Sequence, residues 1–257
     1  MPIAAGLYYF AHEAGDRSHP PVVFVHGAGG NHLSWPPQLR RLPDQCIYAP
    51  DLPAHGKSEG IGHHAIEDYV HDLLEFMSEI GIYSAVWVGH SMGSAVALSA
   101  ALHFPEHVTA LGLIGSGARL PVAPALLRAA SNPSAFESAV QMINDASFSL
   151  QSGRVKELST QRMMETRPAV LYGDLMACDA FDVRDQLGNL LIPTLIICGR
   201  EDRMTPLHYS EFLRDHIAGA RLEVIPNAGH MVMLEQPDRI SDVIADFLNS
   251  ISYRVSK

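Results

Sequence analysis

Ala85-Val86-Trp87-Val88-Gly89-His90-Ser91-Met92-Gly93-Ser94-Ala95-Val96-Ala97-Leu98 decides how the rest of this chain is read. An apolar run ends in Gly-x-Ser-x-Gly, and a small-residue helical pattern follows at once. Between a strand and a helix, that pattern makes a turn so tight that its middle residue is strained and projects above the sheet edge. Gly89 and Gly93 are glycine for a steric reason, because side chains there would meet the packed strand and helix. The helix start also aims backbone N–H groups and a partial positive charge at whatever forms beside Ser91.

A serine hydroxyl is a poor nucleophile at neutral pH and needs a base oriented by an acid. Two later strand ends supply both. Thr194-Leu195-Ile196-Ile197-Cys198 runs into Gly199-Arg200-Glu201-Asp202, and Leu222–Ile225 runs into Pro226-Asn227-Ala228-Gly229-His230. His230 is the expected base and Asp202 the expected acid. Glu201 is adjacent, but the shorter side chain and the Gly-x-x-Asp placement favour Asp202. An oxyanion needs two donors. The Met92 N–H is the first, and the turn His26-Gly27-Ala28-Gly29-Gly30-Asn31 offers the second, from Ala28 before Gly29. That turn has no Gly-Lys-Ser/Thr ending, which argues against a phosphate loop. His26 reads as structural, bonding loop backbone.

The surrounding order is strand and helix in alternation. Strands are expected at Leu7–His12, Val22–His26, Cys46–Ala49, Ala85–Gly89, Ala110–Ile114, Thr194–Cys198 and Leu222–Ile225. Continuous Val/Ile runs among them fit a mainly parallel sheet buried on both faces. Ile66, Tyr69, Val70, Leu73, Leu74, Met77 and Ile80 fall at helical spacing. Thr205-Pro206 reads as an N-cap and first helical residue for a helix to about Ile217, and Gln236-Pro237 does the same for a last helix. The result is an α/β fold with a doubly wound sheet. From Arg119 to Leu190 only helical patterns appear, so residues 119–190 are expected to form a helical cap inserted into a core of 1–118 and 191–257.

Composition bounds the partners. The chain has 257 residues, 47% of them apolar, and a formal charge of −10. That charge argues against a nucleic-acid backbone or an anionic membrane as partner. No run approaches the roughly 18 apolar residues of a spanning helix, and the N-terminus lacks a signal-peptide pattern. Cys46, Cys178 and Cys198 read as buried reduced thiols, which favours the cytoplasm. No compact Cys/His set points to a metal, and His63-His64 reads as a helix start. No cofactor is expected.

Together these motifs resemble the α/β-hydrolase family along nearly the whole chain. His26-Gly27, Asp51-Leu52-Pro53-Ala54-His55-Gly56-Lys57-Ser58, Gly89–Gly93, Gly199–Asp202 and Gly229-His230 stand where its signposts stand. The resemblance implies a Ser91–His230–Asp202 triad, an oxyanion hole from Ala28 and Met92, and a cap between the sixth and seventh strands. It makes Asp51 and His55 parts of a structural loop. Ser94 departs from the second glycine that many relatives carry after the elbow, while Ser91 argues against epoxide hydrolases and haloalkane dehalogenases, which place aspartate there.

The implied activity is cleavage of a small carboxylic ester or lactone. A C–C hydrolase of aromatic ring-fission products and a non-catalytic ligand receptor are the alternatives. Gly29, His32, Trp35, Phe136, Met142 and Met231 are candidate substrate contacts, and the Met-rich insertion suits varied apolar groups. The protein is expected as a monomer or homodimer.

Overall fold

The computed structural model describes residues 2–13, 19–150 and 152–251. Eight strands form one sheet in the order β1-β2-β4-β3-β5-β6-β7-β8. They are β1 (Ile3–Ala4), β2 (Leu7–His12), β3 (Val22–Val25), β4 (Ile47–Pro50), β5 (Ala85–His90), β6 (Val108–Ile114), β7 (Thr194–Gly199) and β8 (Arg221–Ile225). β1 and β2 pair antiparallel at one edge, and β4 through β8 with β3 run parallel. The expected strands are present with ends shifted by one or two residues, and β1 is the element the residue pattern did not foretell. A two-residue strand carries no periodicity to read.

Helices α1 (Pro37–Arg40), α2 (Ile66–Glu79) and α3 (Met92–His103) precede β6, and the segment between the adjacent strands β6 and β7, called the insertion for that place, carries four further helices. Those four are α4 (Pro124–Ala130), α5 (Phe136–Ser147), α6 (Gly153–Met164) and α7 (Pro168–Ala180), all lying between β6 and β7. α8 (Leu207–His216), α9 (Val232–Glu235) and α10 (Pro237–Ser250) complete the chain. No helix among the described residues is long and apolar enough to cross a membrane.

Each face of the sheet is covered. Alternate residues of β3 and β5, such as Val23, Val25 and Trp87, face a core shared with α2 and α3, whereas Val22, Phe24, Val86 and Val88 face one shared with α10. Two-sided burial explains the unbroken apolar runs of these strands. A third cluster joins Leu126, Phe136, Ala139, Val140, Leu171 and Leu175 within the insertion.

Two of the expected helix starts are corrected. α8 begins after Pro206 with no side-chain cap, because the Thr205 hydroxyl is occupied at Asp202. α2 begins at Ile66, after His63 and His64, and His63 Nε2 instead meets Asp72 at 2.6 Å.

The register aligns the strand ends that matter. Gly89 pairs with Val25 on one side and Leu113 on the other, and Gly199 pairs with Ile225. The loops after β3, β5, β7 and β8 therefore emerge at one edge of the sheet, the carboxyl edge where open α/β sheets hold ligands.

Candidate active site

The Ser91 turn is built from backbone contact. Its φ of +53° and ψ of −118° lie outside the ordinary regions for a side-chain-bearing residue. The Ser91 N–H donates to the Ile114 carbonyl at 2.9 Å, which ties the turn to β6. A Cβ on Gly89 would stand 2.1 Å from the Gly93 carbonyl oxygen, and one on Gly93 would stand 2.1 Å from that of Val25. Neither neighbour can yield, since both are backbone. Ser94 adds a latch that glycine could not: its hydroxyl donates to the Gly89 carbonyl at 2.7 Å and accepts from the Ile114 N–H at 3.2 Å.

His230 and Asp202 meet from their two loops. His230 Nδ1 lies 2.8 Å from Asp202 Oδ2, and both residues are buried. A carboxylate only accepts, so Nδ1 donates and the neutral ring carries its lone pair on Nε2. Asp202 Oδ1 accepts from the Met204 and Thr205 N–H groups at 2.8 Å each, and Oδ2 accepts from the Thr205 hydroxyl at 2.8 Å. Burial alone would raise this carboxyl; the His230 contact and the Thr205 bonds outweigh it and hold it below the usual carboxylate range. Glu201 is exposed. Thr205 Oγ1 also lies 3.2 Å from His230 Nδ1. The sequence does not disclose this contact, because a Thr-Pro pair signals a helix start and nothing about a histidine 25 positions away.

His90 packs beside this pair, its ring centroid 4.7 Å from that of His230. Its Nε2 donates to the His230 carbonyl at 3.1 Å. Burial, followed by the neighbouring His230, lowers the His90 ring to about 3, so it stays neutral.

Ser91 and His230 open on one cavity of about 380 Å³, lined on the far side by residues of the insertion. The turn after β3 forms part of its wall. Gly30 N–H closes that turn onto the Gly27 carbonyl at 3.0 Å, with Gly29 at φ +63°. The Ala28 N–H donates no hydrogen bond among the described residues. Met92, as first residue of α3, has no intrahelical acceptor for its own N–H. The Gly29 N–H is committed to Asp174 Oδ2 at 2.8 Å, which leaves the Ala28 N–H as the unengaged one of the two. His26 donates from Nδ1 to the Gly27 carbonyl at 2.9 Å and accepts the Leu52 N–H on Nε2 at 3.0 Å, which makes it a brace for two loops.

The candidate substrate contacts divide. Gly29, Met142 and Met231 line the cavity. His32, Trp35 and Phe136 do not, and these three expectations are corrected. His32 is buried with Nδ1 on Asp51 Oδ1 at 2.8 Å. Trp35 is fully buried beneath the sheet, its ring centroid 4.6 Å from that of Phe24. Phe136 packs inside the insertion against its own helices. Asn144, Met163 and Leu126 line the cavity in their place.

A model of the alpha/beta hydrolase family matches residues 22–243. The chain belongs to the alpha/beta hydrolase family. The hydrolase is 33% identical to a solved thermophilic esterase, over 95% of this chain and 98% of that one, with a TM-score of 0.81. It is 28% identical to 3-oxoadipate enol-lactonase 1 of Acinetobacter baylyi, over 92% of this chain and 91% of that relative. It is also 28% identical to the 2-hydroxymuconate semialdehyde hydrolase of a Pseudomonas species, over 96% and 92% of the two chains.

Proposed function

We propose that this hydrolase cleaves small carboxylic esters or lactones through an acyl-enzyme on Ser91. One observation carries the reading: a strained serine at a helix N-terminus shares a largely apolar cavity with a buried histidine whose far nitrogen is tied to a buried aspartate. His230 Nε2 takes the Ser91 proton as Oγ attacks the carbonyl carbon, and the resulting imidazolium is stabilised by Asp202. The Ala28 and Met92 N–H groups hold the oxyanion. Collapse expels the alcohol, which takes its proton from His230, and water repeats the attack on the acyl-enzyme. No step calls for a cofactor. The helices from Pro124 to Ala180 act as the cap of this site and choose the acyl group.

The esterase and enol-lactonase likeness supports this reading. The semialdehyde hydrolase likeness favours one alternative, hydrolysis of a carbon–carbon bond beside a ketone by the same groups. The described cysteines are buried and outside any disulfide, which supports a reducing, cytoplasmic setting.

The test is a panel of p-nitrophenyl esters, lactones, thioesters and ring-fission ketones, run on wild type and Ser91→Ala. We expect turnover of esters or lactones and a loss of roughly 10⁶ in kcat in the variant, with the fold retained. A fluorophosphonate should label wild type at Ser91. Substantial ester turnover by Ser91→Ala, or an unlabelled serine, overturns the nucleophile. At most one slow turnover by wild type would leave a ligand receptor instead.

A further inference from the structure

Gly29 has both of its backbone polar groups bonded to the insertion. Its N–H donates to Asp174 Oδ2 at 2.8 Å, and its carbonyl accepts the Thr166 hydroxyl at 3.0 Å. Thr166 and Asp174 stand just before and within α7, far from the core in sequence. The same helix places Leu171 over the turn, its Cδ1 3.0 Å from where a Gly29 Cβ would lie.

Asp174 is an unusual anchor. It is fully buried, on a helix face shared with Val170, Leu171, Leu175 and Cys178. A carboxylate in that setting needs donors on both oxygens. Oδ1 accepts the Tyr69 hydroxyl at 2.6 Å from α2. Oδ2 accepts the Gly29 N–H and also meets His55 Nε2 at 2.8 Å. The other His55 nitrogen, Nδ1, faces the Pro53 carbonyl at 2.9 Å. Both ring nitrogens therefore face acceptors, the arrangement of an imidazolium. Burial works against that charge, but Asp174 more than compensates and raises the ring above its ordinary value. One carboxylate thus joins the insertion, α2, the His55 loop and the turn after β3.

The turn it grips is the one whose Ala28 N–H is free to meet an oxyanion. Gly29 N–H and Ala28 N–H sit on successive peptide planes, so fixing the first restricts the second. We propose that Asp174, assisted by Thr166, is a positioning residue that holds the Ala28 N–H in line for the transition state. The inference rests on the acyl-transfer reading above. It assigns the insertion a part in rate as well as in substrate choice.

The test compares wild type, Asp174→Asn and Thr166→Val with a p-nitrophenyl ester, together with inhibition by a boronic acid that mimics the tetrahedral intermediate. Asp174→Asn should lower kcat about tenfold or more, as partial loss of one oxyanion donor would, while KM stays within about threefold. Boronic-acid affinity should fall in step. Thr166→Val should lower kcat by a smaller factor, about threefold, and decides the matter by itself if the buried variant does not fold. Amide exchange at Gly29 should be slow in wild type and faster in each folded variant. A folded Asp174→Asn with unchanged kcat and boronic-acid affinity overturns the proposal, even if its Tm falls. So does a Thr166→Val with unchanged kcat when Asp174→Asn is unfolded, or a rise in KM alone. Absence of wild-type turnover would instead sink the acyl-transfer reading, and positioning with it. Slow Gly29 exchange would still show that the clamp exists.

Discussion

The wall of the cavity that carries Ser91 and the wall that faces it are held by different means. On the core side, backbone touches backbone: Cβ atoms on Gly89, Gly93 or Gly199 would each stand 2.1 Å from a carbonyl oxygen. Positions fixed this way leave the reacting groups almost no room to drift. On the insertion side, the lining is made of side chains such as Met142, Ile143 and Met163. Met142 is 40% exposed, and thioether chains repack cheaply. The contrast separates backbone positions that cannot shift from cavity-lining side chains of the insertion that can be varied, with buried Asp174 as the insertion's fixed point.

The most damaging way to probe that contrast is to add one carbon on the core side. Gly93→Ala places Cβ 2.1 Å from the Val25 carbonyl and 2.6 Å from that of His26. α3 must move off β3, carrying Ser91 with it. We expect destabilisation of about 3 kcal/mol or more and no measurable ester turnover. Urea unfolding and circular dichroism check the first, activity the second. A stable, active variant would mean that the elbow is not packed as described.

Acid should also act on the core side. Bonded at Nδ1 to a carbonyl and at Nε2 to the Leu52 N–H, His26 has no place for a second proton. Burial, with the nearby His55, lowers it to about 4, and His90 lies at about 3. Their folded values fall below the unfolded value of about 6.5. The unfolded chain therefore takes up these protons first, so stability rises with pH. The contribution is complete above about pH 6.5 and is lost as the pH falls toward the folded values, near 4 for His26 and near 3 for His90. At pH 5 each ring should already have cost about 2 kcal/mol. On the insertion side the exposed Asp145–Lys156 ion pair should add little, while the buried His55–Asp174 pair acts with the opposite sign, since a ring raised by its carboxylate is stabilising at low pH and loses that contribution as the pH rises. Urea midpoints equal at pH 7.5 and pH 5 would remove the distinction.

The same contrast explains how much the sequence discloses. β3, β5 and β7 are legible because strands buried on both faces are written in apolar residues without polar alternation. The placing of Ser91 and Asp202 is legible because each follows the end of such a strand, His230 follows the half-buried edge strand β8, and parallel register brings those ends to one edge. Direction is not legible. His32 lies two residues past the Gly27–Gly30 turn yet turns inward to Asp51. Helical spacing shows that Phe136 is buried without showing against what. It packs among the insertion helices, while Met142 and Ile143 farther along α5 reach the cavity. Asp174 did leave a mark, a carboxylate within an apolar stripe, but its partner Gly29 is 145 positions away.

The gentlest probe belongs to the insertion side. Met142→Ala removes a half-exposed side chain that borders the cavity and touches neither the turn after β3 nor the His230 loop through any hydrogen bond among the described residues. Stability should change by less than about 1 kcal/mol, because little buried area is lost. A p-nitrophenyl acetate offers only a methyl group as its acyl chain, so kcat and KM should both hold. With a hexanoate the lost apolar contact is worth about 1 kcal/mol, and KM should rise roughly fivefold at constant kcat. Uniform binding lost in ground and transition states alike has that signature. A comparable fall in kcat for the acetate would place Met142 within reach of the reacting carbonyl and would erase the boundary between a wall that reacts and a wall that selects.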